Sequence, residues 1–299
     1  MFSRVAIVGS KKDFAARIIR EAILQHWEFS ETGDSVDETP VLKWDPGNAI
    51  TKPPDVFLAT IHEHSIFCEY LDDICEADLI LMISRHRSES GAPAFLTHCT
   101  GNWTDAAEQG GQPRDVAHSS GRVLQAALQE LNRQNVAAGL NFDVSLEATH
   151  HGPTTNRVPL AYLELGSTKY EWVNPTYAAV VANAVMDVAA SINTLPEIQV
   201  YLGFGGPHYA PSFTRLALEA PACTSHIVPK YFIPEITADQ VQQVIDRTVE
   251  PLAGFMLDWK GLTAGDRAHI LPILTQFDKP VFRVDQFLKK IKGNKDAFS

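Results

Sequence analysis

The chain has 299 residues, 45% of them hydrophobic and 20% charged, so it is long enough to bury a substantial core and too apolar for disorder. Its formal net charge of -11 excludes a protein that coats nucleic acid through a broad basic surface. The negative charge is local: residues 28–78 hold thirteen acids and two bases, and the remainder is neutral. That remainder can carry local basic surfaces, such as the lysines 289, 290, 292 and 295, which are typical of a solvated helix end.

Four cysteines without a C-x-x-C pair indicate buried thiols in a reducing compartment, so we expect a cytoplasmic protein. The first apolar strand pattern precedes Lys11 and Lys12, which reverses the charge order of a secretory signal. The longest apolar stretch, residues 177–190, is interrupted by Asn183 and Asp187 and predicts no membrane span. We expect no membrane and no DNA as partners, and we favour a monomer.

Short apolar runs alternate with helical patterns, which predicts an α/β protein, a three-layer αβα arrangement with a mainly parallel central sheet. Strands are expected at residues 4–8, 55–60, 78–83, 142–148, 159–165, 198–204, 225–228, 254–258 and 280–284. Helices are expected at 13–27, 116–132 and 175–192, after a capping box at 237–240, and at 262–277. No repeat or linker divides the chain, so residues 1–299 are predicted to form one catalytic domain with surface insertions near 30–39 and 103–115.

Polar residues and glycines concentrate directly after five predicted strands, at 84–91, 149–154, 205–211, 229–231 and 259–261. In an open α/β sheet, ligands bind beyond the carboxyl ends of the strands, so we expect these segments to converge on one site. Eight of the eleven histidines lie in these or comparable segments: His62, His64, His86, His98, His150, His151, His208 and His226. Because imidazole binds metals and transfers protons near neutral pH, the cluster indicates a reactive site.

Individual motifs leave alternatives open. His62 and His64 have the spacing of a bidentate metal site on an extended strand, but the same segment suits a helix N-terminus. Gly205 and Gly206 bring backbone N–H groups close to an oxyanion or a phosphate, and they equally suit a tight turn. Cys99 is a candidate for thiol chemistry because it follows a histidine.

Several segments together resemble a known family. They are 62–65, 84–91, 96–98 with 101–102, 147–154 (E-A-T-H-H-G-P-T), 164–167 with 171–172, 203–211, 226–231 and 259–262. Their content and order are similar to those of the archaeal and plant D-aminoacyl-tRNA deacylases, the second type of that activity. The resemblance implies a phosphorylase/hydrolase-like fold, zinc as cofactor, and hydrolysis of the ester that joins a D-amino acid to the 3′ end of tRNA.

Site roles are assigned by chemistry within that resemblance. Four residues are predicted to be catalytic, with a histidine activating water and the glutamate orienting it: Glu147, His150, His151 and Thr154. Zinc is expected among three histidines, His86, His98 and His208. The predicted contacts with the aminoacylated tRNA end, including the two amides for the oxyanion, are Arg85, Ser88, Asn102, Gly205, Gly206, Tyr209, Lys230, Tyr231, Trp259 and Lys260.

Two other functions use the same residues. A zinc-dependent amidohydrolase or peptidase acting on small acyl substrates needs the histidines but no tRNA. A non-catalytic tRNA-binding module needs only the basic and aromatic side chains. Turnover that depends on tRNA separates these three functions.

Overall fold

Two β-sheets organise the structure, a computed structural model that describes residues 1–47 and 53–296. The strands of the first sheet are β1 (Arg4–Ser10), β2 (Phe29–Val36), β3 (Thr39–Trp44), β4 (Asp55–Ile61), β5 (Leu79–Arg85), β6 (Ala94–His98), β7 (Asp143–Leu146) and β8 (Leu160–Gly166). Those of the second sheet are β9 (Gln199–Phe204), β10 (Ala222–Val228), β11 (Leu252–Leu257) and β12 (Val281–Arg283). The strand orders are β2-β3-β4-β1-β5-β8-β6-β7 and β10-β9-β11-β12.

Most strand pairs are parallel. In the first sheet β4, β1, β5 and β8 run parallel, and all the pairs of the second sheet are parallel. The β2–β3 hairpin is antiparallel at one edge, while β6 and β7 run parallel to each other and antiparallel to β8. The predicted α/β fold with a mainly parallel central sheet is confirmed.

In the described residues the helices are α1 (Phe14–His26), α2 (Gly121–Ala137), α3 (Lys169–Trp172), α4 (Pro175–Ser191), α5 (Pro211–Glu219), α6 (Ala238–Arg247), α7 (Ala264–Leu274) and α8 (Val284–Asp296). Polar side chains cap the N-termini of several of them: Asp13 accepts a hydrogen bond from Ala16 N–H, and Thr237 forms the predicted capping box with Gln240. The helix predicted at 116–132 begins later, because residues 116 and 117 make extended contacts with the chain at 100–101.

The central strands β1, β5 and β8 are buried on both faces, as parallel strands covered on both sides should be. On one face, Ile7, Leu81 and Leu163 pack against the helices α1, α2 and α4. On the other face, Met82 and Tyr162 pack beneath the segment 65–74. Side chains that alternate along β8 therefore face either the helix layer or the opposite side of the sheet.

Three further segments differ in detail from the sequence pattern. Residues 30–39 lie on the surface within the β2–β3 hairpin, and residues 103–115 form a loop without strand or helix. The stretch from Pro175 to Thr194 is the one described helical segment apolar and long enough to cross a membrane, and 56% of its apolar window is buried. It packs against α1 and α2 inside the protein.

Candidate active site

Two histidines and two glutamates meet where β8 lies beside β6. Glu164 lies in β8 and His86 follows the neighbouring strand β5, while His98 ends β6 and Glu147 follows β7. Because β6 is antiparallel to β8, the two strand pairs bring these side chains over the same part of the sheet from opposite directions. All four side chains are buried. Segments that follow several strands therefore meet here, but they come from strands of opposite direction, whereas the sequence predicts one site beyond the carboxyl ends of a parallel sheet. Trp259 and Lys260, from the fifth predicted segment, do not line the cleft.

His86 holds the two carboxylates together. Its Nδ1 lies 3.4 Å from Oε2 of Glu147 and 3.4 Å from Oε2 of Glu164. Burial alone lowers the pKa of His86, but the two carboxylates outweigh it and raise this pKa to about 11. Together with these carboxylates, His86 forms one possible metal-ligand group, which includes neither His98 nor His208.

The carboxylates respond in the opposite direction. Burial alone raises the pKa of Glu147, but the adjacent His208 and His86 lower it well below the ordinary value. In Glu164 burial is likewise outweighed by His86 and His98, so the pKa is lowered. The Ser84 hydroxyl also donates a hydrogen bond of 2.5 Å to Glu164. Two buried negative charges are thereby kept at the base of the site.

Three imidazoles next to these carboxylates have a fixed tautomer. Nδ1 of His98, His150 and His151 lies 3.0, 2.8 and 2.7 Å from the backbone carbonyls of Cys99, Ala148 and Gly152. Because a carbonyl only accepts, Nδ1 carries a hydrogen, and Nε2 is the nitrogen that holds the lone pair in each neutral ring. Each residue offers one ligand atom, and the three atoms lie within 4.8 Å of one another.

Burial also keeps two of these imidazoles neutral. Burial, followed by the charges of His151 and His98, lowers the pKa of His150 well below its ordinary value. For His151, burial and the charge of His98 lower the pKa to about 4. Nε2 of His98 is buried and has no hydrogen-bond partner among the described residues. Burial alone lowers the pKa of His98, but Glu164 and Glu147 outweigh it and raise this pKa. Zinc binding releases protons from its ligands, and three convergent imidazole nitrogens suit zinc, so the residues present fit the metal that the resemblance implies.

His208 contacts the carboxylate of Glu147 instead of completing that set. Its Nε2 lies 2.8 Å from Oε1 of Glu147, and its Nδ1 lies 3.4 Å from the Tyr231 hydroxyl. The predicted zinc ligands His86, His98 and His208 do not form one ligand group among the described residues, whereas other combinations do. Tyr209 borders the same region, with its hydroxyl 3.0 Å from Nε2 of His86.

Two adjoining cavities, which we call the histidine cleft, open over these residues. The larger has a volume of about 580 Å³ and includes Arg85, Arg87 and Glu164 in its lining. The smaller has a volume of about 350 Å³ and includes Asn102 and Tyr231. The side chains that line both are Gln109, His150, His151 and His208. The cleft is large enough for a small ligand group, and the histidines lie between its two halves.

The loop 103–115 forms one wall of the cleft. Asn102 donates hydrogen bonds of 2.8 and 3.1 Å to the carbonyls of Gly110 and Gln112. The amide N–H of Gln112 donates 2.8 Å to the hydroxyl of buried Thr154. Both predicted site residues are therefore engaged in holding the loop, and the loop places Gln109 in the cleft.

Several predicted contacts lie elsewhere. The N–H of Gly205 donates to the carbonyl of Val228 at 2.8 Å, so it is not free for the predicted oxyanion. Gly205 and Gly206 pack against Asp258 and do not line the cleft. Ser88 contacts the hydroxyl of Ser90 at 2.9 Å in a surface turn.

Basic and aromatic contacts divide between two regions. Arg85 lines the cleft, with its guanidinium 5.4 Å from the ring centre of Trp172. Trp259 lines a separate cavity beside the second sheet, and Lys260 follows it on the surface. Lys230 is also exposed and donates its N–H to Gly206 at 2.9 Å.

The remaining candidates have structural surroundings. His62 is exposed beside Lys11, and no ligand group of the described residues includes it or His64, although His64 lines the cleft. His226 is buried and bonded to the carbonyl of Ala117. Burial raises the pKa of the Cys99 thiol to about 12, which does not suit a nucleophile.

The prediction missed Glu164, Gln109 and Tyr162. Glu164 had a readable signal, because it is the one charged residue in the otherwise apolar strand β8. Tyr162 stacks on His98 with ring centres 5.1 Å apart, a contact between strands that the sequence does not show. Gln109 lies in a loop without periodic pattern.

Comparisons with known proteins give concordant results. A family model described as D-aminoacyl-tRNA deacylase matches residues 74–282. The D-aminoacyl-tRNA deacylase of Methanosarcina acetivorans is 32% identical over 295 residues, covering 96% of this chain and 95% of the relative. That of Thermococcus kodakarensis is 34% identical over 261 residues, covering 85% and 90%. The crystal structure of a conserved protein of unknown function matches with a TM-score of 0.82 and 25% identity, covering 96% of this chain and 97% of that one.

Proposed function

Because the chain belongs to the D-aminoacyl-tRNA deacylase family, we propose that it hydrolyses the ester bond between a D-amino acid and the 3′ end of tRNA. The observation that supports this most directly is the histidine cleft, where neutral imidazoles lie beside two buried carboxylates. Ester hydrolysis needs a group that takes a proton from water and a group that stabilises charge on the carbonyl oxygen. The cleft offers residues for both tasks.

Zinc is the proposed cofactor, held by Nε2 of His98, His150 and His151. Their Nδ1 atoms donate to carbonyls, the usual support for histidines that ligate metals. When bound there, zinc would supply a Lewis acid that polarises the ester carbonyl. This set replaces His86 and His208 of the predicted ligands, since neither forms a ligand group with His98 among the described residues.

His208 is the proposed proton carrier. With Oε1 of Glu147 at 2.8 Å, Nε2 of His208 carries the hydrogen and Nδ1 keeps the lone pair. Water that attacks the ester carbonyl gives its proton to Nδ1. The proton then passes to the ribose oxygen as the carbon–oxygen bond breaks, which releases tRNA and the free amino acid. Glu147 orients the imidazole and stabilises its charged form, as the carboxylate does in other catalytic triads.

Side chains around the cleft suit the end of a charged tRNA. Arg85 and Arg87 supply positive charge to the larger cavity. Tyr209 and Tyr231 are 39% and 50% exposed at its border and offer rings for stacking the terminal base. The proposed location is the cytoplasm, where aminoacylated tRNA is used, and all four cysteines, which lie in the described residues, are free thiols.

Turnover of tRNA charged with the D- or the L-form of one amino acid tests the proposal. The purified full chain is expected to deacylate the D-form and spare the L-form. His150→Ala is expected to lose at least about a hundredfold in rate, together with zinc content measured by emission spectrometry. His62→Ala, at an exposed histidine outside the cleft, is the control and should keep both.

Three results would contradict parts of this proposal. Equal turnover of both enantiomers removes the role in chiral proofreading. Turnover of small acyl substrates without any need for tRNA favours an amidohydrolase. Full activity of the His150→Ala variant removes His150 from the site.

A further inference from the structure

The carboxyl ends of the second sheet form one row. The last residues of its strands are paired in register: Val228 with Phe204, Phe204 with Leu257, and Leu257 with Arg283. Strands β9 and β12 are two strand spacings apart, which is about 10 Å. The row therefore leads from the strand that precedes His208 to Arg283 at the far edge.

Each strand end is followed by basic or aromatic side chains. His208 and Tyr209 follow β9, Lys230 and Tyr231 follow β10, Trp259 and Lys260 follow β11, and Arg283 ends β12. Lys230, Tyr231 and Lys260 are exposed. The row thus continues from the histidine cleft as a strip of cationic and aromatic groups.

A separate cavity of about 620 Å³ lies against this sheet; Leu257 and Arg283 line it at the strand ends, and Gln199 lines it at the start of β9. Its lining includes Trp259, Arg283, Gln286 and Lys290. The guanidinium of Arg283 lies 4.8 Å from the ring centre of Trp259 and donates two hydrogen bonds to Asp285, which fix its position. Arg267 contacts the same ring, with its guanidinium 4.7 Å from the ring centre of Trp259, and donates to the carbonyl of Trp259 at 3.0 Å.

The local charge differs from that of the whole chain. Residues 259–293 contain seven lysines and arginines against three acidic residues, although the chain as a whole carries -11. Lys289, Lys290 and Lys292 on α8 are exposed, and Lys292 pairs with Glu219 at 2.9 Å. Lys290 also lines the cavity, so one of the lysines that the sequence pattern assigns to a solvated helix end borders a cavity.

We propose that this cavity binds a phosphodiester of the 3′ strand of tRNA, with Arg283 and Lys290 as phosphate contacts and Trp259 packed against the adjoining base. The proposal rests on the proposed function, because the aminoacyl end must lie in the histidine cleft. Stacked nucleotides rise about 3.4 Å each, so the spacing of about 10 Å between the ends of β9 and β12 corresponds to about three nucleotides. A positive groove with aromatic side chains is the usual means of binding single-stranded nucleic acid.

Binding of uncharged tRNA to the full chain tests the site directly. The double variant Arg283→Gln with Lys290→Gln is expected to raise the Kd about tenfold. It should also reduce the magnitude of the slope of log K against log salt concentration by about 1.4. The control is Lys43→Gln with Arg133→Gln, which removes the same charge at half-exposed or exposed positions on β3 and α2 that line neither the cleft nor this cavity, and it should bind as the wild type does. If the double variant unfolds on heating well below the wild type, Lys290→Gln alone should still raise the Kd about threefold.

Two further measurements identify the segment of tRNA that binds in the cavity and distinguish this proposal from the proposed deacylase function. Trimming four nucleotides from the 3′ end should weaken wild-type binding and abolish the difference between the wild type and the double variant. The ratio of kcat/KM on D-aminoacyl-tRNA to that on the D-aminoacyl ester of adenosine should fall about tenfold in the double variant.

The outcomes are distinguishable. A wild-type Kd in the double variant, or an undiminished effect with trimmed tRNA, overturns the proposed site even if the enzyme is active. Absence of turnover by the wild type overturns the proposed function, while the Kd comparison still decides whether the cavity binds RNA.

Discussion

His208 illustrates how one contact supports a proposed role at the scale of a residue. In the proposed mechanism the carboxylate of Glu147, 2.8 Å from Nε2, holds the ring with its hydrogen on Nε2 and its lone pair on Nδ1. The sequence pattern predicts His208 to be a metal ligand, because an imidazole suits metal ligation and proton transfer equally well. The choice between them depends on a neighbour 61 positions away in the chain, which no local pattern reveals.

Replacement of His208 by glutamine tests this role. The variant keeps an amide near the Glu147 carboxylate but has no group that takes a proton, so kcat is expected to fall by about 10² to 10⁴. Zinc content should stay at the wild-type level, since His208 is not a proposed ligand. Loss of zinc with an otherwise normal fold would return His208 to the ligand set.

His226 has a structural effect that depends on pH. Burial lowers its pKa from 6.5 to about 4 in the folded protein, whereas the unfolded chain keeps the ordinary value. Between these values the unfolded state binds more protons. The contribution of neutral His226 to the free energy of unfolding is therefore complete above about pH 6.5. It declines by up to about 3 kcal/mol as the pH falls toward 4.

Urea unfolding at pH 7.5 and 4.5 measures this decline. In His226→Gln, which keeps a donor for the carbonyl of Ala117, the loss of unfolding free energy on acidification should be smaller by about 3 kcal/mol. Parallel pH dependence in the two proteins would show that His226 does not titrate on unfolding.

At the scale of elements, the wall of the cleft depends on a loop held by tight contacts. Gly110 has a φ of 82°, and a Cβ there would collide with the carbonyl oxygen of Ile66. Gly139 has a φ of 66° with open space around it. The two glycines share a left-handed backbone and differ in their surroundings, which makes them a matched pair.

Alanine at each position separates the energetic cost of a left-handed backbone from that of a steric collision. Gly139→Ala is expected to lower the free energy of unfolding by about 1–2 kcal/mol and to leave kcat unaffected. Gly110→Ala adds about 1–3 kcal/mol for the collision and should lower turnover as well, since the displaced loop carries Gln109. Equal losses in the two variants would show that the loop yields without cost.

Elements with a long apolar run were predictable, and those defined by their neighbours were not. The strands β1, β4, β5 and β8 match the predicted positions closely, because parallel strands buried on both faces leave continuous apolar runs. β2 consists mostly of polar residues and β6 has only five residues, so neither strand contains a long apolar run. The division into two sheets depends on strand pairing, which the sequence pattern does not specify.

At the scale of the whole molecule, charge is separated along the chain. The acidic residues 28–78 include the β2–β3–β4 edge of the first sheet, while the exposed lysines follow the second sheet. Family membership, the enzyme class and the mainly parallel sheet were all predictable, because the motifs kept their order. The individual site roles stay predictions.

This separation predicts a moderate salt dependence. Four basic groups on the row, Lys230, Lys260, Arg283 and Lys290, give a slope of log K against log salt of about -3, at about 0.7 per phosphate contact on a single strand. Measurement of tRNA affinity between 50 and about 200 mM salt checks this value. A slope near -10 would indicate a broad basic surface and contradict the local contact set.

The antiparallel pairing of β6 with β8 places His98 and Glu164 together only when the two strands keep their register. Leu96 lies opposite Glu164, and His98 lies opposite Tyr162, so His98 and Glu164 share one face of the sheet. A slip of one residue would turn the His98 imidazole into the layer of α1, α2 and α4 and leave the sheet itself intact. A change in the length of a surface loop leaves this register unaltered. One residue inserted or deleted between Ala94 and His98 would turn the His98 side chain to the other face of the sheet.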